Sequence, residues 1–314
     1  MIASLSLLCV AAAILLVGPR LASAPWARQA PRVAIFAWQA LTISAVITVV
    51  LAGVTLLIPI TALAGDLGAV VHACAMSVAD AYGESELLPG KLFGAFLAGA
   101  LPMWLLICGV RVLGGGWWSR RQLRRSLSLI TETDAGLGIS VIETPAPAAF
   151  CLPGRSAQIV VTRGALSNLS SCELDGVLAH EAAHLRGRHN LAVALSQILA
   201  RAFPRVRLFQ VATRETRQLI ELLADDAALQ RVDRVNLASA IVSLAEMKAP
   251  AAALAMAQDA AVLRVSRLLS PEPPLNPWRY RVAVVGALTV VVAPLLIAGY
   301  PAVCAALSDI CNIP

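Results

Sequence analysis

The feature that most restricts this 314-residue chain is where its charges are missing. No Asp, Glu, Lys or Arg occurs from Met1 to Pro19, from Val33 to Gly65, from Leu92 to Val110 or from Val282 to Leu307. By contrast, 34 of the 44 charged residues lie between Gly114 and Arg281. A spanning helix needs about 20 predominantly apolar residues, and irregular backbone cannot satisfy its polar groups in lipid. Each uncharged run therefore reads as a transmembrane helix, at about 2–17, 33–64, 92–110 and 282–300. The second run is longer than a bilayer requires and carries Pro59, so the helix is expected to tilt or to end near that proline. A hydrophobic content of 58%, against about half in soluble domains, excludes an ordinary soluble protein. The first run is not expected to be a signal peptide, because no Lys or Arg precedes Arg20.

Short cytoplasmic loops retain Lys and Arg. The first loop holds Arg20, Arg28 and Arg32 without an acid, whereas the loop from Gly65 to Lys91 holds Asp66, Asp80, Glu84 and Glu86 against Lys91 alone. The polar insert carries 20 Lys and Arg and opens with Arg120, Arg121, Arg124 and Arg125. The expected arrangement in a cell membrane has both termini outside and the insert in the cytoplasm. The basic excess of the chain is then largely topological, so direct nucleic-acid binding is not expected. Cys74, Cys304 and Cys311 face outward on this reading, where one disulfide can form, Cys304 to Cys311 being the nearest pair in sequence. Cys151 and Cys172 are expected reduced.

The expected fold is a mainly α membrane protein of four transmembrane helices with a cytoplasmic α+β domain. Its parts are 1–113 with three spans, an insert at 114–281, a fourth span at 282–300 and a short external tail at 301–314. The insert opens with strand-like segments at 138–143, 148–151 and 158–162, separated by Pro145 to Pro147 and by Pro153-Gly154, which suggests a small antiparallel sheet. Ser170 and Glu173 have capping-box spacing and start a helix reaching about Gly187.

On that helix lies His180-Glu181-Ala182-Ala183-His184. Residues four apart on a helix are about 40° apart around its axis, so both imidazoles can reach one ion while the glutamate projects beside them. This is the His-Glu-x-x-His arrangement of zinc peptidases, with Glu181 as general base. Apolar neighbours such as Val177, Leu178, Ala182 and Leu185 make an uncompensated polar trio costly, and one zinc ion would compensate it. A catalytic zinc takes a third protein ligand. His189 falls one position short of the spacing that would make it that ligand, and is expected beside the site or on the surface. Glu221 and Asp225 sit four apart on a second helix, Glu221 to ligate and Asp225 to hold a ligand histidine, while Asp226 reads as a solvated acid. His189, Arg186 and Arg188 are the candidates near the oxyanion by proximity.

The run from Val141 to His184, with Ala149-Phe150, Val160 to Leu166 and the metal motif, resembles the gluzincin membrane peptidases, a zincin group with a short sheet before the zinc helix and a Glu-x-x-x-Asp after it. That group includes the CAAX prenyl endopeptidases and the heat-shock membrane proteases. Three spans before the peptidase domain and one after resemble the BlaR/MecR-type peptidases within it. The resemblance implies zinc held by His180, His184 and Glu221, catalysis by Glu181 and support from Asp225. It also implies a protein substrate, a BlaI/MecI-like transcriptional repressor in a signalling pathway. The rival substrates are damaged membrane proteins, and the remaining reading is a catalytically silent scaffold. A homo-oligomer is compatible with the resemblance. The chain runs 14 residues past Tyr300, so a penicillin-binding sensor after the last span is not expected.

Overall fold

A computed structural model describes residues 2–57, 88–129, 131–134, 138–154, 157–247 and 254–311. Four of its helices are long and apolar enough to cross a membrane: Ala3–Ser23, Pro31–Leu57, Pro89–Leu127 and Pro277–Tyr300. In chain order the elements begin with α1 (Ile2–Val17), a 3-10 stretch (Gly18–Ser23), α2 (Trp26–Gln29) and α3 (Pro31–Leu57). They continue with α4 (Leu88–Ala95), a π-helical stretch (Phe96–Ala100) and α5 (Leu101–Leu127). The insert contains β1 (Thr131–Asp134), β2 (Ile139–Ile142), β3 (Ala149–Leu152) and β4 (Gln158–Thr162). Its helices are α6 (Arg163–Asn168), α7 (Ser171–Arg186), α8 (His189–Ala202), α9 (Arg207–Ala228), α10 (Arg234–Met247) and α11 (Leu254–Leu269), and α12 (Pro277–Cys311) closes the chain. Pro59, Cys74 and most of the acidic loop fall outside the described residues, as do the side chains of Cys304 and Cys311.

Two helices outrun the uncharged runs that predict them. From Leu88 the chain stays helical through Phe96–Ala100 to Leu127, so the third span continues past Val110 as a stalk carrying Arg111 to Arg125. At 1.5 Å per residue, the 39 residues of Pro89–Leu127 extend about 58 Å, roughly twice the hydrocarbon thickness. Through the segment read as a tail at 301–314, α12 continues as far as Cys311; its alanines and leucines are good helix formers.

The sheet is mixed rather than antiparallel, in the order β1-β2-β4-β3. β2 pairs with β4 in parallel, Val141 opposite Val161, while β1 and β3 join as antiparallel outer strands. The segment after Thr144 carries the chain to the far edge, where β3 forms, and β4 returns between β2 and β3. The centre is where Val160 and Val161 belong, adjacent β-branched residues buried one on each face. The backbone passes so tightly there that a Cβ on Gly164 would lie 2.0 Å from the Pro145 carbonyl oxygen. β1 escapes sequence reading because Thr-Glu-Thr-Asp has no apolar alternation.

The length of the second uncharged run has a use. Of its most apolar window, 44% is buried within the protein, against 17%, 17% and 11% for the other three helices. Ala34, Trp38 and Ala45 of α3 form one apolar cluster with Leu199 of α8 and Leu208, Phe209, Ala212, Leu219 and Leu222 of α9. The first half of α3 is therefore covered by the insert. The polar insert is not hung from the membrane helices by linkers; its helices share their core. Burying each large side chain of this seam is worth about 1.5–3 kcal/mol. A fragment cut to residues 114–281 should therefore expose the apolar face of α9 and aggregate. Its recovery as a soluble, cooperatively unfolding monomer by size-exclusion chromatography and calorimetry would contradict the shared core.

Candidate metal centre

Helix α7 starts at a full capping box: the Ser170 hydroxyl accepts from the Glu173 amide at 3.3 Å, and the Glu173 carboxylate accepts from the Ser170 amide at 2.8 Å. Three turns on, His180 is buried at 7% exposure and His184 is half-buried. Helix α9 lies against α7 and turns Glu221 toward both rings. The His180 Nε2 and His184 Nε2 atoms are 3.1 Å apart, and Glu221 oxygens stand 3.4 Å from the first and 3.6 Å from the second. Among the described residues these three form a group able to hold a metal, with donor atoms within 4.8 Å of one another.

Each imidazole is held from behind. His180 Nδ1 donates to Asp225 Oδ1 at 2.9 Å. Asp225 is 1% exposed and also receives a two-pronged contact from Arg264, with Nε to Oδ2 at 2.8 Å and Nη2 to Oδ1 at 2.6 Å. A further Arg264 nitrogen lies 3.3 Å from Glu221. Arg264 sits on α11, 39 residues beyond its partner. Sequence reading misses it because no local spacing links the two.

His189 sits behind His184, the two Nδ1 atoms being 3.1 Å apart. This placement needs the break after α7. Arg188 is in the left-handed region at φ 47°, and a Cβ on Gly187 would lie 2.2 Å from His189 Nε2. With His184 Nε2 directed at the metal position, His184 Nδ1–H donates and His189 accepts. Arg186 and Arg188 are exposed and away from the cavity beside the centre. Asp226, expected to be solvated, instead pairs with both terminal nitrogens of Arg267 at 2.6 and 3.0 Å.

Glu181 shares a hydrogen bond with the Cys151 thiol of edge strand β3. Burial and the adjacent Glu181 charge push that thiol up to about 12, so it remains a protonated donor to the carboxylate. Burial opposes charge on His180, but its bonds to Asp225 and Glu221 outweigh burial and carry it up to about 9. Burial takes His184 down to about 4 and also lowers His189. Burial would raise Glu221, yet the His180 contact and Arg264 hold it down at about 2. Asp225 is likewise below its ordinary value despite burial, because of His180 and Arg264.

The residues fit a zinc ion. With Nδ1 of each histidine facing Asp225 or His189, both Nε2 atoms stand 3.1 Å apart and face Glu221, so that once the His180 proton is displaced two lone pairs and a carboxylate are directed at one point. Two imidazoles and a carboxylate are a borderline nitrogen and oxygen set suited to zinc.

The family model of peptidase family M48 matches residues 120–275. The chain is similar to the protease HtpX homolog of Pyrococcus abyssi (strain GE5 / Orsay), 39% identical over 67 residues, or 20% of this chain and 23% of that one. It is also similar to the protease HtpX homolog of Listeria monocytogenes serotype 4a (strain HCC23), 35% identical over 68 residues, or 20% and 22% of the two chains. The chain thus spans under a quarter of the length of these relatives. No solved structure matches. The family match covers the insert and leaves out the four-span arrangement on which the BlaR/MecR-type likeness rests.

Two outcomes follow from the geometry. Arg264→Met strands the Asp225 charge, and zinc affinity should fall about 10- to 100-fold by competition with a chelating dye; unchanged affinity would refute the support assigned to Arg264. The second outcome concerns protons. Below about 9, His180 holds a proton that zinc must displace, whereas His184 and Glu221 have already lost theirs at neutral pH. Affinity should therefore rise about tenfold per pH unit and level off above about 9. Calorimetry in buffers of different ionisation enthalpy should count about one proton released, and zero would contradict this.

Proposed function

On the premise that residues 120–275 are a peptidase family M48 domain, we propose that this chain is a membrane-anchored zinc metalloendopeptidase that hydrolyses peptide bonds of proteins on the cytoplasmic side. The observation that carries the reading is the convergence of His180, His184 and Glu221 on one point, with Glu181 beside them on the same helix. When bound, zinc would supply Lewis-acid polarisation of the scissile carbonyl and of a water beside it.

The rest is done by the chain. Asp225, itself fixed by Arg264, keeps the His180 ring in one tautomer and orientation. His189 does the same for His184. The Glu181 carboxylate takes a proton from the attacking water and passes it to the leaving amine. The Cys151 thiol, donating to that carboxylate, restricts its rotation and ties it to β3. β3 is an outer strand and packs beside α7, so its free edge can align an extended peptide by strand addition next to Glu181.

Cytoplasmic placement is supported by the basic first loop and insert. It is also supported by their packing: Ala27 of α2 joins the same apolar cluster as α9, so both lie on one side of the membrane. A transcriptional repressor among the protein substrates rests on the resemblance of the arrangement, three apolar helices before the domain and one after, to the BlaR/MecR-type peptidases.

The test compares purified full-length protein and Glu181→Gln, both zinc-loaded, on an unfolded protein and on any repressor encoded beside the gene. The variant should keep its zinc and lose about 10²- to 10⁴-fold in kcat. Equal cleavage by both proteins would remove Glu181 from catalysis. Cleavage of misassembled membrane proteins but not of the repressor would redirect the substrate assignment.

A further inference from the structure

A cavity of about 400 Å³ opens beside the metal centre and runs away from it between α5 and α8. His184, Glu221 and Cys151 line one end, and Val112, Leu113 and Leu191 supply apolar wall farther along. Two cations also line it, Arg120 of α5 and Arg217 of α9. Every other ionisable group in the lining belongs to the metal centre or adjoins it.

Three nearby arginines are committed elsewhere. Arg124 donates to the Leu152 and Pro153 carbonyls at 3.0 and 3.1 Å, Arg121 lies over the Trp117 ring at 5.0 Å, and Arg264 is committed to Asp225. Arg120 and Arg217 have no hydrogen-bond or ion-pair partner among the described residues. Arg120 folds back over Gly116, its Nη1 standing 3.0 Å from where a Cβ would be. A side chain at 116 would require the guanidinium to give by a few tenths of an ångström.

Arg120 is half-buried and Arg217 exposed where they line this partly enclosed, mostly apolar cleft; two guanidinium groups so placed favour an anion, and a carboxylate matches the fork of a guanidinium. We propose that Arg120 and Arg217 are specificity-determining residues that select peptide substrates carrying an Asp or Glu beside an apolar residue on one side of the scissile bond. The proposal rests on the peptidase reading and adds to it a substrate class. A phospholipid phosphate is the other anion within reach. The peptide is favoured because the cavity leads to Glu221 and His184 rather than to the outer face of α5.

The test uses full-length, zinc-loaded protein in detergent, with Glu181→Gln to hold substrates uncleaved. A set of labelled peptides walks a single Asp, Asn or Lys through the positions flanking one apolar residue, and binding is read by fluorescence anisotropy. At one or two positions Asp should bind on the order of ten-fold tighter than Asn. Adding Arg120→Gln and Arg217→Gln should flatten this difference, and Arg120→Glu with Arg217→Glu should reverse it in favour of Lys. Zinc content and thermal unfolding confirm that the variants are folded, and wild-type cleavage rates should rank the peptides in the same order. Discrimination at no position, or discrimination that survives both substitutions, overturns the proposal. So does loss of binding to phosphatidylglycerol vesicles with peptide selectivity unchanged, which assigns the arginines to lipid. Asp-selective binding with no cleavage of any peptide by wild type would instead overturn the peptidase reading and leave the selectivity standing.

Discussion

The carboxylate of Asp225 is the fixed point of this protein. A charge at 1% exposure forfeits several kcal/mol of hydration, and stays ionised only if its neighbours return that energy. Here they do so from two other helices, His180 from α7 and Arg264 from α11, with Asp225 itself on α9. The network therefore sets the mutual position of the elements that carry every metal donor. One turn before Asp225, Glu221 is delivered to the rings by the same helix, so the structural pairing and the ligand geometry cannot be adjusted separately.

What could be read beforehand divides along physical lines. His180, Glu181 and His184 lie within one helical turn, and Glu221 with Asp225 within another, so their relations depend only on the 3.6-residue period. The capping box at Ser170 is equally local. Arg264, the pairing of Asp226 with Arg267, and the contact of Cys151 with Glu181 join residues far apart in sequence, and depend on tertiary packing that no spacing encodes. The sheet shows the same division. Its three apolar strands were visible from β-branched residues and turn signals, but the parallel pairing of β2 with β4 follows from β3 crossing to the outer edge. The spacing of His189 sets it apart from the candidate ligands. Its actual place, behind His184, depends on the left-handed backbone at Arg188.

The boundary between the apolar helices and the polar insert is the other point at which composition alone misleads. Charge distribution divides the chain cleanly at Gly114, yet the largest apolar cluster spans that division, with Trp38 and Leu222 in one core. The reason is that α9 has two occupations. One face is apolar and seals against α3, while the other presents the acids of the metal centre. A helix with these two roles transmits the position of the membrane bundle directly to the ligands, without a hinge between them.

The continuous helix from Leu88 to Leu127 also acts as a ruler. The cavity wall takes residues from Val112 to Arg120, beginning two residues past the uncharged run that ends at Val110. Gly116 is about 9 Å along the axis from Val110 at 1.5 Å per residue, a distance that about three extended residues cover. A polypeptide lying alongside α5 past Val110 is thus within a few residues of the cavity wall. Because a helix changes length only by whole residues, each inserted residue would raise the site by about 1.5 Å and rotate the cavity wall by about 100°. Height and facing are locked together in this stalk, which leaves its length almost no freedom to drift.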